Sequence, residues 1–325
     1  MAPKVTVLMS VYNGEKYLRE AVESILNQTF TDFEFIIIDD ASTDCSLEIL
    51  RSFEDPRIKI VRNIENLGLT KSLNIGLSLA KGEYIARMDA DDICIKERLK
   101  IQIQIMDANP KIGICGTWAK IFGSDESISK RPITPEDIKV ALFYYNPLIH
   151  SSVIIRKSYL IMYNLEYDVS FKQSQDYELW VRCAQKFQIM NIPKVLVYHR
   201  KHSNQIGTQL LDKQNDYANK IRVLQIQSLN IIPTQAEIKI HTAMINKDYS
   251  LLEENLIAYN NWLFKLKLMN EKFYIYPRGK FLKSLAGYWM NAACNMKNLK
   301  FKNIIYLIRW TFIWTIWRIF GLVTT

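Results

Sequence analysis

Between residues 4 and 92, short apolar runs alternate four times with stretches of helical periodicity, and this alternation constrains the fold more than any other feature of the chain. Residues 4–10 are short, β-branched and apolar, and Gly14 breaks the run. Tyr17, Leu18, Ala21, Val22, Ile25 and Leu26 then recur at the spacing of one helix face. Residues 33–38 form a nearly continuous apolar run, as a strand does when both of its faces are covered. Ser42, Thr43 and Asp44 are suited to cap the helix carrying Leu47, Ile49, Leu50 and Phe53. A strand over 58–61, a helix over 69–80 closed by Gly82, and a strand over 84–88 complete the series. Repeated units of this kind predict an α/β fold with a parallel sheet covered by helices.

Further on the pattern loosens. Residues 98–106 read as helix, 112–122 as strand, 124–135 as a polar loop, 153–156 as strand, 176–187 as helix and 195–198 as strand. From about Gln205 the chain reads as mostly helical, with no internal repeat and no low-complexity linker. A hydrophobic fraction of 49% over 325 residues is enough for a sizeable core in one large domain or two ordinary ones. Cys45, Cys94, Cys115, Cys183 and Cys294 form no CxxC pair, which fits neither a zinc site nor a disulfide framework and suggests a reducing compartment. The first apolar run is short and broken by Thr6 and Ser10, so it reads as a strand rather than a signal peptide. Charge is uneven: residues 1–200 hold 25 basic and 26 acidic side chains, residues 201–325 hold 17 and 7. The back of the chain therefore suits an anionic surface.

In an open parallel sheet, ligands bind at the carboxyl ends of the strands. Three expected strands end in polar residues: at Ser10–Asn13, at Asp39 and Asp40, and at Asp89, Asp91 and Asp92. Five carboxylates along one edge repel one another unless a cation is present. Hard carboxylate oxygens favour Mg²⁺ or Mn²⁺. Aspartate pairs after strands also cap helices and fill turns, but two such clusters on one edge weaken that alternative.

The segments Val7–Gly14, Ser24–Phe30, Ile37–Asp44, Asn66–Gly68 and Gly82–Asp92, taken in order, resemble the family 2 glycosyltransferases of GT-A fold. The resemblance runs over about residues 4–205. It implies a Rossmann-like, mixed and mainly parallel sheet flanked by helices, with residues 1–92 as the nucleotide-sugar half and 93–205 as the acceptor half of a catalytic domain. A basic, helical C-terminal region would occupy 206–325. In that family's pattern Ser10 and Tyr12 would line the nucleotide pocket, Asp40 would accept a hydrogen bond from the base with Asp39 beside it, and Asp89 would approach the ribose. Asp91 and Asp92 would bind the metal, and the pattern leaves open which is the direct ligand. The segment Ser174–Arg182 resembles the family's acidic motif, with Gln175 where Glu is usual and Asp176 as the expected general base. Residues 198–203 resemble a motif closing over the diphosphate, in which His202 would complete the metal shell and Arg200 would meet a phosphate. His150 is a candidate for the acceptor side, and Lys71, Asn74 and Arg87 are candidates for donor-side contacts.

One base and no second nucleophile imply direct displacement with inversion, from a nucleotide-sugar, with UDP expected, to an acceptor hydroxyl. The acceptor expected from the resemblance is a growing or lipid-linked glycan in bacterial surface-polysaccharide synthesis. A nucleotidyltransferase is the rival enzyme, but the loop after the first strand holds a single Gly where such enzymes carry several. An anionic-surface binding module would leave the aspartate cluster unexplained, and the placing of the basic residues speaks against nucleic acid. Residues 303–323 are rich in Trp, Phe and Ile but interrupted by Arg309 and Arg318, each costing about 2.5–3.5 kcal/mol at the centre of a span. With Lys297, Lys300 and Lys302 in front, this tail is expected to lie on a membrane without crossing it, on the inner face of the cell membrane. The alternative is a helix packed on protein. The sugar, the acceptor and the oligomeric state are not encoded in any motif of the sequence.

Overall fold

In the computed structural model, which describes residues 2–202 and 211–296, the chain divides into two compact units. The first comprises Met1–Ile138 and Asn146–Tyr217, the second Lys139–Tyr145 and Ala218–Thr325.

The first unit opens with β1 (Val5–Val11), α1 (Glu15–Leu26), β2 (Phe33–Asp39), α2 (Ser46–Arg51), β3 (Ile58–Arg62), α3 (Leu69–Leu79) and β4 (Tyr84–Asp89). These strands pair in parallel in the order β3-β2-β1-β4. Then follow β5 (Ile93–Cys94), α4 (Arg98–Ala108), β6 (Ile112–Gly123), β7 (Ser127–Ser129), α5 (Pro135–Ala141), a 3-10 turn (His150–Ser152), β8 (Ile154–Arg156), α6 (Lys157–Met162), α7 (Gln175–Cys183) and β9 (Gln188–Lys201). Beyond β4 the sheet becomes mixed: β8 runs antiparallel to β4 and β6, and β9 runs parallel to β6 and antiparallel to β5.

Alternation along β1 explains its two faces. Val5, Val7, Met9 and Val11 join Leu18, Val22 and Ile25 of α1 and Leu99, Ile103 and Met106 of α4 in one core. Each such fully buried aliphatic side chain contributes about 1.5–3 kcal/mol. On the opposite face Leu8 meets α3, and a Cβ on Gly76 would come within 2.1 Å of its Cδ1, so any larger residue would force the Leu8 side chain to shift.

Three boundaries differ from the sequence reading. The polar loop over 124–135 contains β7, which folds back antiparallel onto β6. The helix expected to reach Phe187 stops at Cys183, and the Phe187 ring instead occupies the space above Gly113. The strand expected over 195–198 extends over Gln188–Lys201, because pairing with β6 holds polar residues that have no strand propensity of their own.

The second unit contains α8 (Leu211–Ser228, which begins in the first unit), α9 (Gln235–Asn246), α10 (Tyr249–Glu254), α11 (Leu256–Phe273) and α12 (Arg278–Asn295). Its core gathers Phe143, Tyr144, Trp262, Leu263, Leu285 and Trp289. Thr234 and Glu237 form a reciprocal capping box at the start of α9. Among the described residues no helix is long and apolar enough to cross a membrane. The tail over 303–323, expected to lie on a membrane, falls outside the described residues.

Candidate active site

Strand register aligns the expected polar ends: Val11 is level with Asp39, and Ser10 with Asp89. Past β1 the backbone turns at Asn13 (φ 51°), and past β2 at Ala41 (φ 60°). Asparagine tolerates this left-handed region; alanine there is held by its surroundings. The two turns are laced together. Asn13 N–H donates to Ser42 Oγ (3.1 Å), and Asn13 Oδ1 accepts Thr43 N–H (2.8 Å). Gly14 N–H donates to Ser46 Oγ (2.9 Å) and Glu15 N–H to Asp44 Oδ2 (3.0 Å). Helix α1 has no side-chain cap at its own N-cap residue, so the loop before α2 supplies the acceptors that its first N–H groups need. Tyr12 is left with half its surface exposed above the edge.

Asp39 is fully buried; its Oδ1 accepts Ser42 N–H (3.1 Å) and its Oδ2 lies 3.3 Å from Arg62 Nε. Asp40 pins the loop that leads into α3. Its Oδ1 accepts Asn63 Nδ2–H (2.7 Å) and Leu67 N–H (2.9 Å), and its Oδ2 accepts Gly68 N–H (2.8 Å). A carboxylate has about four lone-pair positions, so Oδ2 keeps room for one more donor.

The aspartates of the third cluster face different ways. Asp89 pairs with Arg87 at 2.5 Å. Burial is the largest influence and works against its charge, but Arg87 and, behind it, other neighbours including His199 and Arg98 together hold its pKa below the usual carboxylate value. Asp92 is fully buried and accepts from Ser151 Oγ, from Arg200 N–H (2.8 Å) and from His199 Nδ1 (3.0 Å). Asp91 is part-exposed, and its Oδ2 stands 3.0 Å from His202 Nε2. At that distance the two side chains hydrogen-bond directly, and atoms so spaced could also take adjacent positions on one octahedral ion with bonds of about 2.1 Å. Among the described residues no group of three or more His, Cys, Asp or Glu is placed to hold a metal ion.

The premise that these carboxylates repel unless a cation is added is corrected. Arg62, Arg87 and His199 and the backbone N–H groups of Leu67, Gly68 and Arg200 already offset them. His199 was passed over in the sequence, although it lies in the same short motif as His202. Burial lowers its pKa, but the Asp92 hydrogen bond and the charges of Asp92, Asp89 and Asp91 raise it to about 9, so it is a cation at neutral pH.

Asp176 lies on the first turn of α7, behind Ser174 in the left-handed region (φ 56°). Its Oδ2 accepts Asn146 Nδ2–H (2.7 Å). Asp176 and Asp89 line one cavity of about 300 Å³, together with His150, His199 and Arg131. His150 donates to or accepts from Tyr167 Oη at 2.9 Å; burial first, and Arg87 second, push its pKa down to about 4, leaving it neutral.

Other candidates stand away from the cavity or are already engaged. Arg200 is stacked between the rings of Tyr17 (4.3 Å) and Phe122 (4.4 Å), donates to the Asp91 carbonyl (2.9 Å) and pairs with Glu20. Lys71 is exposed on α3. Two donor-side expectations are corrected. The Asn74 amide clasps the backbone of Tyr167 (2.8 and 3.0 Å), and Arg87 is fully buried beneath the edge, where it holds Asp89 rather than facing a ligand.

The family model described as Glycosyl transferase family 2 matches residues 6–168. The chain belongs to this family. A glycosyltransferase of Haemophilus influenzae is 34% identical over 233 residues, covering 68% of this chain and 72% of the relative. The amylovoran biosynthesis glycosyltransferase AmsE of Erwinia amylovora is 32% identical over 209 residues, covering 62% and 78%. Among solved structures, S. aureus TarS in complex with UDP-GlcNAc superposes with a TM-score of 0.58 at 21% identity, covering 89% of this chain and 81% of TarS. The mannosyltransferase PcManGT of Pyrobaculum calidifontis, in complex with GDP-Man and Mn²⁺, gives 0.55 at 16% identity, covering 90% and 87%. The family 2 enzyme thus has the GT-A fold, a mixed sheet flanked by helices with further helices after it.

Proposed function

We propose that this glycosyltransferase moves a sugar from a UDP-sugar to an acceptor hydroxyl on a growing or lipid-linked glycan, with inversion and with Mg²⁺ or Mn²⁺ bound. The observation that carries this reading is the shared cavity of Asp89 and Asp176. With Asp89 on the donor side and Asp176 on the acceptor side, the two carboxylates would face one space, as in-line displacement requires.

Each residue has a task in that scheme. The exposed Tyr12 ring offers a face for the base. The remaining position on Asp40 Oδ2 would accept the imino N–H of uracil. Ser10 and Asp39 support that pocket from the strand ends, and Asp89 would accept from ribose hydroxyls. Asp91 and His202 would hold the ion, with Asp92 placing them from behind. A bound divalent ion would supply Lewis-acid neutralisation of the departing diphosphate. Arg200 would reach a phosphate by exchanging Glu20 for it, and Lys71 would approach from α3. Asp176, oriented by Asn146, would take the hydroxyl proton as the acceptor oxygen attacks the anomeric carbon and the bond to the diphosphate breaks.

The TarS complex with UDP-GlcNAc supports a UDP-sugar, the PcManGT complex with Mn²⁺ supports a divalent ion, and the name of AmsE supports polysaccharide assembly. The basic, apolar tail supports a place on the cytoplasmic face of the membrane, beside a lipid-linked acceptor. The test is nucleotide release from UDP-glucose, UDP-galactose, UDP-GlcNAc and GDP-mannose with and without Mn²⁺. Release of UDP from at least one donor, only with metal, is expected. Release from GDP-mannose alone, or release unaffected by EDTA, overturns the donor or the metal assignment.

A further inference from the structure

Two side chains at the start of α4 break local rules. Arg98 opens the helix, where the macrodipole disfavours a cation, and it is fully buried, where a guanidinium without a carboxylate partner is costly. Its donors go to neutral acceptors: Gln102 Oε1 (2.9 Å), the carbonyls of Arg87 (2.9 Å) and Val153 (3.1 Å), and the sulfurs of Met88 and Cys94. Gln102, also fully buried, lies one turn on and donates to the carbonyls of Cys115 (2.8 Å) and Ser152 (2.9 Å). A buried group that violates local preference in this way is a mark of a functional constraint.

We infer that Arg98, with Gln102, is a positioning residue that fixes the Asp89 end of β4 relative to the turn His150–Ser152. The ladder between β4 and β8 ends at the Ala86–Ile154 pair. Beyond it, one backbone bond, Arg87 N–H to the Val153 carbonyl (2.9 Å), joins the two segments, and the chain separates to form the cavity. The Arg98 guanidinium grips one carbonyl from each side at that point. Two residues along from Arg87 is Asp89, and within three residues before Val153 are His150 and Ser151, which line the cavity with Asp176. Nη2 meets both carbonyls while Nε meets Gln102, so the site uses two nitrogens of one rigid plane, a set that a lysine ammonium with its single nitrogen cannot reproduce.

The inference rests on the roles proposed for Asp89 and Asp176. Its test compares Arg98→Lys, Arg98→Met and Gln102→Leu in the full chain. Three quantities are read: kcat and KM for Mn²⁺-dependent hydrolysis of the UDP-sugar that wild type accepts, UDP affinity, and amide exchange over residues 148–156. We expect kcat to fall about tenfold or more as aligned groups separate, with UDP affinity falling much less, since Asp89 is one of several groups proposed to hold the nucleotide. Exchange over 148–156 should quicken about tenfold in all three variants, because local opening becomes easier there. Rescue of kcat by Arg98→Lys would show that charge alone matters and overturns the inference, as do unchanged exchange or a parallel loss of UDP affinity. If Arg98→Met does not fold, Arg98→Lys and Gln102→Leu carry the same comparison. If wild type hydrolyses no UDP-sugar, the donor reading fails, while the exchange measurement still decides this one.

Discussion

Asp91 and Asp92 are adjacent and chemically identical, yet they are held in opposite ways. Asp92 is enclosed by Ser151, His199 and the Arg200 backbone, whereas Asp91 faces solvent beside His202. Replacing Asp91 by Ala should therefore abolish metal-dependent turnover and leave the melting temperature near that of wild type. Asp92→Asn should instead destabilise the fold by about 1–3 kcal/mol, because three donors lose a charged acceptor. Thermal unfolding and Mn²⁺ titration of both variants separate the two roles, and equal melting losses would contradict the distinction. Asp176→Asn should cut turnover about a hundredfold while UDP binding persists. A collapse of UDP affinity instead would move Asp176 to the donor side. At this scale the sequence displayed the aspartates but not their directions. The partners of Asp92 lie 59 and 107 residues away, beyond the reach of any local pattern.

Among the elements, the loop into α3 depends on Asp40 and Asn63 together. Asn63 donates to both Asp40 and Ser72, so Asn63→Ala should loosen the loop and weaken UDP binding without contact to the nucleotide. Isothermal titration with UDP checks this, and wild-type affinity would sink it. In the second unit, His241 of α9 is buried; its Nδ1 accepts from Trp262 Nε1 (3.3 Å) and its Nε2 has no partner. Burial first, and Arg222 second, push its pKa down to about 3, against about 6.5 in an unfolded chain. The unfolded state takes up a proton that the folded state resists. The contribution of His241 to stability is thus complete above about pH 6.5 and is lost as pH falls toward 3. Denaturant midpoints at pH 7 and 4.5 should differ less in His241→Gln than in wild type; equal differences would refute the assignment. The strands β1, β2 and β4 were readable because their apolar runs match their burial. β9 was not, because its ladder partner β6 is remote in sequence and holds its polar residues in place.

For the whole molecule, the built-in offsetting of the acidic edge means that metal removal and unfolding are separable. EDTA should inactivate the enzyme reversibly without lowering its melting temperature by more than a few degrees. The C-terminal tail gives a second test at this scale. Full-length protein should pellet with membranes and be released by high salt or carbonate, and a version ending at Asn295 should remain in the supernatant. A full-length protein found wholly in the supernatant would defeat the membrane proposal. Fold and family were visible in the ordered motifs of the first two hundred residues, whereas the helical unit carries a generic apolar pattern that names no partner.

Strand β9 delivers His199 and Arg200 from consecutive positions on opposite faces, with His202 just beyond the strand's last residue. A strand's side chains alternate, so a slip of one residue exchanges the two faces. One codon gained or lost between Val197 and His199, where the pairing with β6 is regular, would turn His199 away from Asp92 and bring Arg200 or Tyr198 in its place. The short hairpin at Ser127–Ser129, exposed and paired over three residues only, has no such constraint. Length variation among descendants of this gene should therefore accumulate in the hairpin and be absent from the last third of β9.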